Sequence, residues 1–152
     1  MTGKLLAKNK QAYAEYEILD TYEAGMKLTG PEVKSIKSGH IKLQGSYASL
    51  NPGTGRLSLV GAHVAAYKPA AGSQAGYDPQ RSRILLLKKK EIATLIGKLK
   101  EKRLSLVPLS VYSKGGLIKT ELGLVRGRKQ YEKREQIKKR DIERELGRKL
   151  KS

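Results

Sequence analysis

The chain has no cysteine, no phenylalanine and no tryptophan. Without cysteine there is no disulfide and no thiolate metal site, and a reducing compartment is permitted. Without Phe or Trp, all eight aromatics are Tyr. The Phe-rich platforms with which RNA recognition motifs and cold-shock domains stack single strands are therefore missing. Long apolar runs are missing too. The opening Met1-Thr2-Gly3-Lys4-Leu5-Leu6-Ala7-Lys8 holds no signal h-region, and no stretch approaches the roughly 20 apolar residues of a membrane span. A cytoplasmic protein with no membrane partner is expected. Catalytic signatures are equally sparse. His40 and His63 have no serine or carboxylate motif beside them and no metal-ligand spacing. Gly53-Thr54-Gly55 lacks the third glycine and the following helix of a dinucleotide site, and no phosphate loop with Gly-Lys-Ser/Thr occurs. The expectation is a protein that is not an enzyme, with no catalytic residue, no metal site and no cofactor.

What the sequence has in abundance is positive charge. It carries 32 Lys plus Arg against 14 Asp plus Glu, a formal +18 on 152 residues. A field of that size draws in polyanions. The excess is uneven: residues 1–78 hold 9 basic and 6 acidic side chains, residues 79–152 hold 23 and 8. A uniformly solvating surface would not be divided in this way, so nucleic acid is the expected partner. With no stacking platform, that partner is a folded RNA held through backbone, shape and a few polar contacts.

Residues 14–22 partly alternate and predict a strand, Glu23-Ala24-Gly25 a turn, and Met26-Lys27-Leu28 the start of a second strand. Thr29-Gly30-Pro31-Glu32 reads as a helix start, with Thr29 or Gly30 as cap and proline in the first turn; Ser38-Gly39 ends that helix. Residues 46–51 and 56–64 predict strands joined at Pro52-Gly53-Thr54-Gly55. Residues 68–80, with two prolines and no periodicity, predict a loop. Residues 84–99 predict the longest helix, with Leu87, Ile92, Leu95, Ile96 and Leu99 on one face. A final strand pair, 104–112 and 117–125, turns at Ser113-Lys114-Gly115-Gly116. About six strands linked by hairpins leave no parallel βαβ units. The fold class is mainly β: an OB-like antiparallel six-stranded β-barrel with peripheral helices and a basic C-terminal tail.

The division falls at residue 125. Residues 1–125 form the barrel; residues 126–152 carry 12 basic and 5 acidic side chains with few large apolar ones. Ile142, Leu146 and Leu150 stand four apart, and Glu135/Lys139 and Glu145/Lys149 are favourable helical pairs, yet Gly147 interrupts a thin apolar line. A tail disordered when free and helical on RNA is expected, with a helix docked on the barrel as the alternative. Two basic clusters suit phosphate: Arg81, Arg83 and Lys88-Lys89-Lys90 around the start of the long helix, and Arg126-Gly127-Arg128-Lys129 with Lys133-Arg134 after the last strand. The first cluster has a solvated helix flank as its alternative; for the second, whose flanking sequence offers no core, the RNA reading is favoured.

The motifs form one ordered pattern: Asn9-Lys10-Gln11-Ala12, Tyr16, Thr21-Tyr22-Glu23-Ala24-Gly25, Leu28-Thr29-Gly30, Glu32-Val33-Lys34-Ser35 and Ser46-Tyr47-Ala48. It continues through Asp78-Pro79, Arg81, Arg83-Ile84-Leu85-Leu86-Leu87, Leu106-Val107-Pro108-Leu109, residues 121–129 and Tyr131-Glu132-Lys133-Arg134-Glu135. Taken in this order, the motifs resemble the SmpB family of bacterial tmRNA-binding proteins. Departures from the family pattern stand at Gln11, Ala14, Ile84, Arg103 and Glu132.

The resemblance implies an RNA-binding protein that grips the tRNA-like domain of tmRNA and accompanies it to stalled ribosomes for trans-translation, in which the stalled chain is tagged and the ribosome released. The face implied for tmRNA comprises Asn9, Glu23 and Leu86, with Lys10, Lys34, Arg81, Arg83 and Lys88 as phosphate contacts. Asn9 can donate and accept hydrogen bonds, Glu23 can accept from base edges or 2′-hydroxyls, and Leu86 can pack on an unstacked base. The tail is implied to fill the empty decoding centre and mRNA channel of the ribosome, through Gly127, Lys129, Tyr131, Lys133 and Arg134. A monomer in solution is expected. The competing class is a ribosomal protein or general RNA chaperone of similar fold, which would bind many RNAs with a steep salt dependence.

Overall fold

The computed structural model describes residues 3–68 and 75–127. Within them the chain runs β1 (Leu5–Lys8), α1 (Lys10–Glu15), β2 (Tyr16–Met26), α2 (Gly30–Lys37), β3 (Ile41–Lys42), β4 (Tyr47–Leu50), β5 (Leu57–Val60), β6 (His63–Val64), β7 (Arg83–Leu86), α3 (Lys89–Lys98), β8 (Leu104–Lys114) and β9 (Leu117–Gly127). Every strand pairing is antiparallel. Six strands close into a ring in the order β8-β4-β5-β7-β2-β9 and back to β8, while β3 and β6 pair apart. The mainly β, antiparallel architecture is the one expected from the sequence.

The ring closes because β8, β9 and β2 are each 11 residues long and can pair with different partners along their length. β8 keeps β9 along one edge. Its other edge is shared: Leu106 pairs with Ala48 of β4, and residues 110–112 pair with β1. Pro108 lies at this changeover, where a residue without an N–H costs no ladder bond. Leu57, Leu59, Leu85, Leu106, Leu122 and Leu124 fill the interior, and Leu95 of α3 joins them. The opposite side of the β8–β9 hairpin carries a second cluster, Val107, Leu109 and Val125, covered by Ala12 of α1.

Local chemistry accounts for the helix and turn that the sequence announces. At Thr29 the hydroxyl accepts from the Glu32 N–H at 3.3 Å and Glu32 Oε1 accepts from the Thr29 N–H at 3.0 Å, a reciprocal cap with Pro31 in the first turn. Gly115 and Gly116 both have positive φ and turn β8 into β9.

Several segments differ from expectation: 56–64 splits at Gly61 into β5 and β6, which belong to different sheets, and Met26 ends β2 instead of opening a second strand. Residues 10–15 are a helix capped by Asn9, so the strand expected from residue 14 begins only at Tyr16. Glu23-Ala24-Gly25 is not a turn: β2 runs straight through it, with Ala24 inward and Leu86 lying across Gly25. Residues 84–86 are strand, and α3 begins only at Lys89. The apolar run 84–87 satisfies either period, and pairing with β5 and β2 decides for strand. At the other end β9 continues to Gly127, past the division drawn at residue 125.

Candidate nucleic-acid interface

Alternation along β7, β2, β9 and β8 sorts side chains into the ring interior and an outer face. Leu85, Ala24, Thr120, Leu122 and Val111 are buried. The intervening residues Leu86, Glu23, Gly25, Leu117, Lys119, Glu121, Tyr112 and Lys114 are all exposed or only partly buried. Register places them side by side: Gly25 opposite Leu86 on one flank and Lys119 on the other, Glu23 opposite Glu121, and Lys119 opposite Tyr112.

Leu86 is 49% exposed, unusual for a leucine in a strand pairing on both sides. With Gly25, Leu28, Val33, Leu117 and Lys119 it lines an open recess of about 220 Å³. Leu117, itself 62% exposed, stands on the far rim. A shallow apolar recess with one lysine suits the face or edge of an unstacked base or ribose.

Beside the recess lies a polar group. Glu23 accepts from the Tyr112 hydroxyl, and Lys114 Nζ lies 3.3 Å from Glu23 Oε2. The Tyr112 bond chiefly, aided by Lys114 and Lys119, keeps the Glu23 carboxyl below its usual range. Burial, the bond to Glu23 and the charges of Glu23 and Glu121 push the Tyr112 hydroxyl well above the ordinary tyrosine value, so it stays a donor. Glu121 makes no hydrogen bond or ion pair with any described residue and faces Glu23 across the ladder. Like charges directly opposite cost stability, which a purely structural face would avoid.

The expected tmRNA residues divide by location. Glu23 and Leu86 share this face, and Lys88 follows Leu86 by two residues, exposed at the cap of α3. Lys10 is exposed in the first turn of α1. Lys34 is exposed on α2, its Nζ 5.6 Å from the centre of the Tyr67 ring.

Asn9 is buried, only 5% exposed, and both its polar ends are engaged: Nδ2 donates to the Pro108 carbonyl at 2.9 Å, and Oδ1 accepts from the Ala12 N–H at 3.2 Å. Its own N–H donates to the Leu109 carbonyl. Asn9 therefore fills the open stretch of the β8 edge between β4 and β1, and starts α1 there.

Arg83 is fully buried. Nε donates to Glu32 Oε2 at 2.7 Å; Nη1 donates to the carbonyls of Ala62 and Arg81; Nη2 donates to the Tyr77 hydroxyl and the Pro79 carbonyl. All five N–H groups of the guanidinium are used, and none is left for a phosphate. Arg81 pairs with the same carboxylate through Nε at 3.1 Å and through Nη2, with about a third of its side chain exposed. Burial alone would raise the Glu32 carboxyl. The bonds from Arg81, the Thr29 N–H and Arg83 override it and hold its pKa at about 2. These residues fasten α2 to β7 and to the segment 75–82.

Gly127 ends β9, exposed. Lys129, Tyr131, Lys133 and Arg134, and with them the expected tail conformation, lie outside the described residues. Among the described residues no cluster of three or more His, Asp or Glu side chains is placed to hold a metal. No helix there is long and apolar enough to cross a membrane.

Gly25, Tyr112, Lys114, Leu117, Lys119 and Glu121 were not anticipated as face residues. Parity within each strand was available, but the register that brings four strands together was not.

A basic antiparallel ring with a mixed polar and apolar outer face defines a nucleic-acid-binding protein of OB-like type. The family model described as SmpB protein matches residues 6–152. The chain is 48% identical over 146 residues to the SsrA-binding protein of Sulfurihydrogenibium sp. (strain YO3AOP1), covering 96% of this chain and 93% of that one. With the SsrA-binding protein of Persephonella marina it shares 47% over 148 residues, covering 97% and 95%. It also superposes on a chain from a solved structure described as "tmRNA-SmpB: a journey to the center of the bacterial ribosome", with TM-score 0.66, 45% identity and coverage of 82% and 85%. The chain belongs to the SmpB family.

Proposed function

We infer that this chain binds the tRNA-like domain of tmRNA and delivers it to stalled ribosomes for trans-translation. It acts by contact, not catalysis, as a monomer and in the cytoplasm. The observation that carries this is family membership along residues 6–152, joined to an outer face where Glu23 and Leu86, far apart in sequence, are neighbours across Gly25.

On this reading the ring, which runs to Gly127 at the end of β9, recognises the RNA. Leu86 and the recess beside it take an unstacked base or ribose; Glu23 accepts hydrogen bonds from base edges or 2′-hydroxyls. A fixed carboxylate also repels misplaced phosphates, which favours one RNA shape over others. Lys10, Lys34 and Lys88 supply phosphate contacts, with the partly exposed Arg81 beside them. Asn9 and Arg83 serve the same face indirectly, by holding α1 and α2 on the ring. The tail beyond β9 occupies the empty decoding centre and mRNA channel through Lys129, Tyr131, Lys133 and Arg134, with Gly127, the last residue of β9, at its root.

Competition binding tests the recognition step. Labelled tRNA-like domain is bound to the full chain and challenged with excess bulk tRNA at two salt concentrations. The domain should remain bound against tRNA, and Leu86→Ala should weaken it selectively. Equal displacement by either RNA, with a steep salt slope for both, is the behaviour of a general RNA chaperone and would overturn the assignment.

A further inference from the structure

The acid on the outer face is not left to find its own orientation. Glu23 projects from β2 with about 40% of its side chain exposed. An exposed glutamate ordinarily samples many rotamers, and fixing it on binding costs affinity. Here the Tyr112 hydroxyl, reaching from β8 across β9, donates to Glu23 Oε2. Lys114, also on β8, lies 3.4 Å from Oε1 and 3.3 Å from Oε2. Oε2 thus has a short neutral donor, while Oε1 meets only a flexible ammonium at the limit of hydrogen bonding. One lone pair on Oε1 remains for an incoming donor, and the weakly held ammonium can yield the other.

The tyrosine is itself held. Its strand pairs on both sides, Tyr112 with Leu5 of β1 and with Lys119 of β9, and its ring is only partly exposed. The titratable groups acting on this pair are Glu121 and Lys119 from β9 and Lys114 from β8, and the Glu121 charge also reaches the hydroxyl of Tyr13 on α1. The unpaired Glu121 carboxylate disfavours ionisation of Tyr112 and so preserves it as a donor.

We propose that Tyr112 is a positioning residue for RNA recognition: its hydroxyl fixes the Glu23 carboxylate in one orientation, with Oε1 presented to donor groups of the RNA. This rests on the assignment of the outer face to the tRNA-like domain of tmRNA. Pre-ordering one long side chain corresponds to about 3- to 10-fold in Kd.

The test is a double-mutant cycle on the full chain, with Tyr112→Phe, Glu23→Ala and both together, reading Kd for the tRNA-like domain and the thermal midpoint. Tyr112→Phe keeps the ring in place and should weaken binding about 3- to 10-fold, while the midpoint falls only slightly, because the bond it loses lies at the exposed surface. In the Glu23→Ala background the same change should have no further effect. A carbon-13 titration of Glu23 should show its carboxyl moving up towards the ordinary range in Tyr112→Phe, which a loss of packing alone would not produce. Tyr112→Phe with wild-type affinity, or equal losses in both backgrounds, overturns the proposal while leaving the RNA face standing. If Glu23→Ala and Leu86→Ala both bind as wild type, the assignment of the face fails and the proposal with it.

Discussion

Arg83→Ala separates a structural arginine from an RNA-binding one. Basic residues around 81–90 suit phosphate by type, yet Arg83 is fully buried with all five donors committed. Removing it strips Glu32, itself 1% exposed, of one of its two guanidinium partners. It also leaves the carbonyls of Ala62 and Pro79 without that donor and opens a void the size of the side chain. Losing one member of a buried pair costs about 3–5 kcal/mol. In a chain of this size that is roughly 10–20 °C in Tm. Thermal unfolding of the full chain by circular dichroism at neutral pH reads the change directly. Arg83→Lys retains the charge but offers three donors without the planar fork, and should fall between the two. The refuting result is an Arg83→Ala protein that melts within a degree or two of wild type yet has lost affinity for RNA. Arg83 would then be a surface contact.

Four further outcomes are expected. Asn9→Ala should lower stability by about 1–2 kcal/mol through loss of the α1 cap and the bond to Pro108, seen as a lower urea midpoint; an unchanged midpoint with lost RNA binding would instead make Asn9 a direct contact. Glu32, with its pKa near 2 in the fold against an ordinary 4.5, contributes stability that is complete above about pH 4.5 and lost as pH falls through about 2. Glu32→Gln should therefore flatten the acid limb of the stability profile in that window, a change of roughly 3 kcal/mol; an acid limb as steep as wild type would contradict the pairing. Gly123→Ala should cost about 1–3 kcal/mol in denaturant unfolding, because a Cβ there would come within 2.8 Å of the buried Leu109 side chain; no loss would mean that Leu109 moves aside. A chain ending at Arg128 should bind the tRNA-like domain as wild type and fail to support tagging; full tagging would remove the tail from the decoding role.

Much of the fold could be read locally. The α2 start was legible in Thr29, Pro31 and Glu32 because a helix cap is made by neighbours in sequence. The β8–β9 turn was legible in Gly115-Gly116 because only positive φ makes that turn tight. Errors arose where distant partners decide. Residues 84–87 satisfy a helix or a strand, and only pairing with Leu57 and Met26 chooses. Gly25 looks like a turn residue, yet it is the bare patch on which Leu86 rests. As a strand, 83–86 turns Arg83 and Leu85 inward and leaves Leu86 outward by alternation alone. For the candidate interface, residue type and family pattern pointed to Glu23 and Leu86, which share the outer face. Tyr112, Lys119 and Glu121 stayed hidden because strand register is a property of the folded ring.

A reconstituted tagging reaction bears most directly on the function. Ribosomes stalled on an mRNA without a stop codon are supplied with aminoacylated tmRNA, with the full chain, with Glu23→Ala/Leu86→Ala, or with no protein. Tag addition should require the full chain, and the double variant should support it only at raised protein concentration. Tagging that proceeds equally without the chain, or that the double variant supports at wild-type concentration, would contradict delivery of tmRNA through this face.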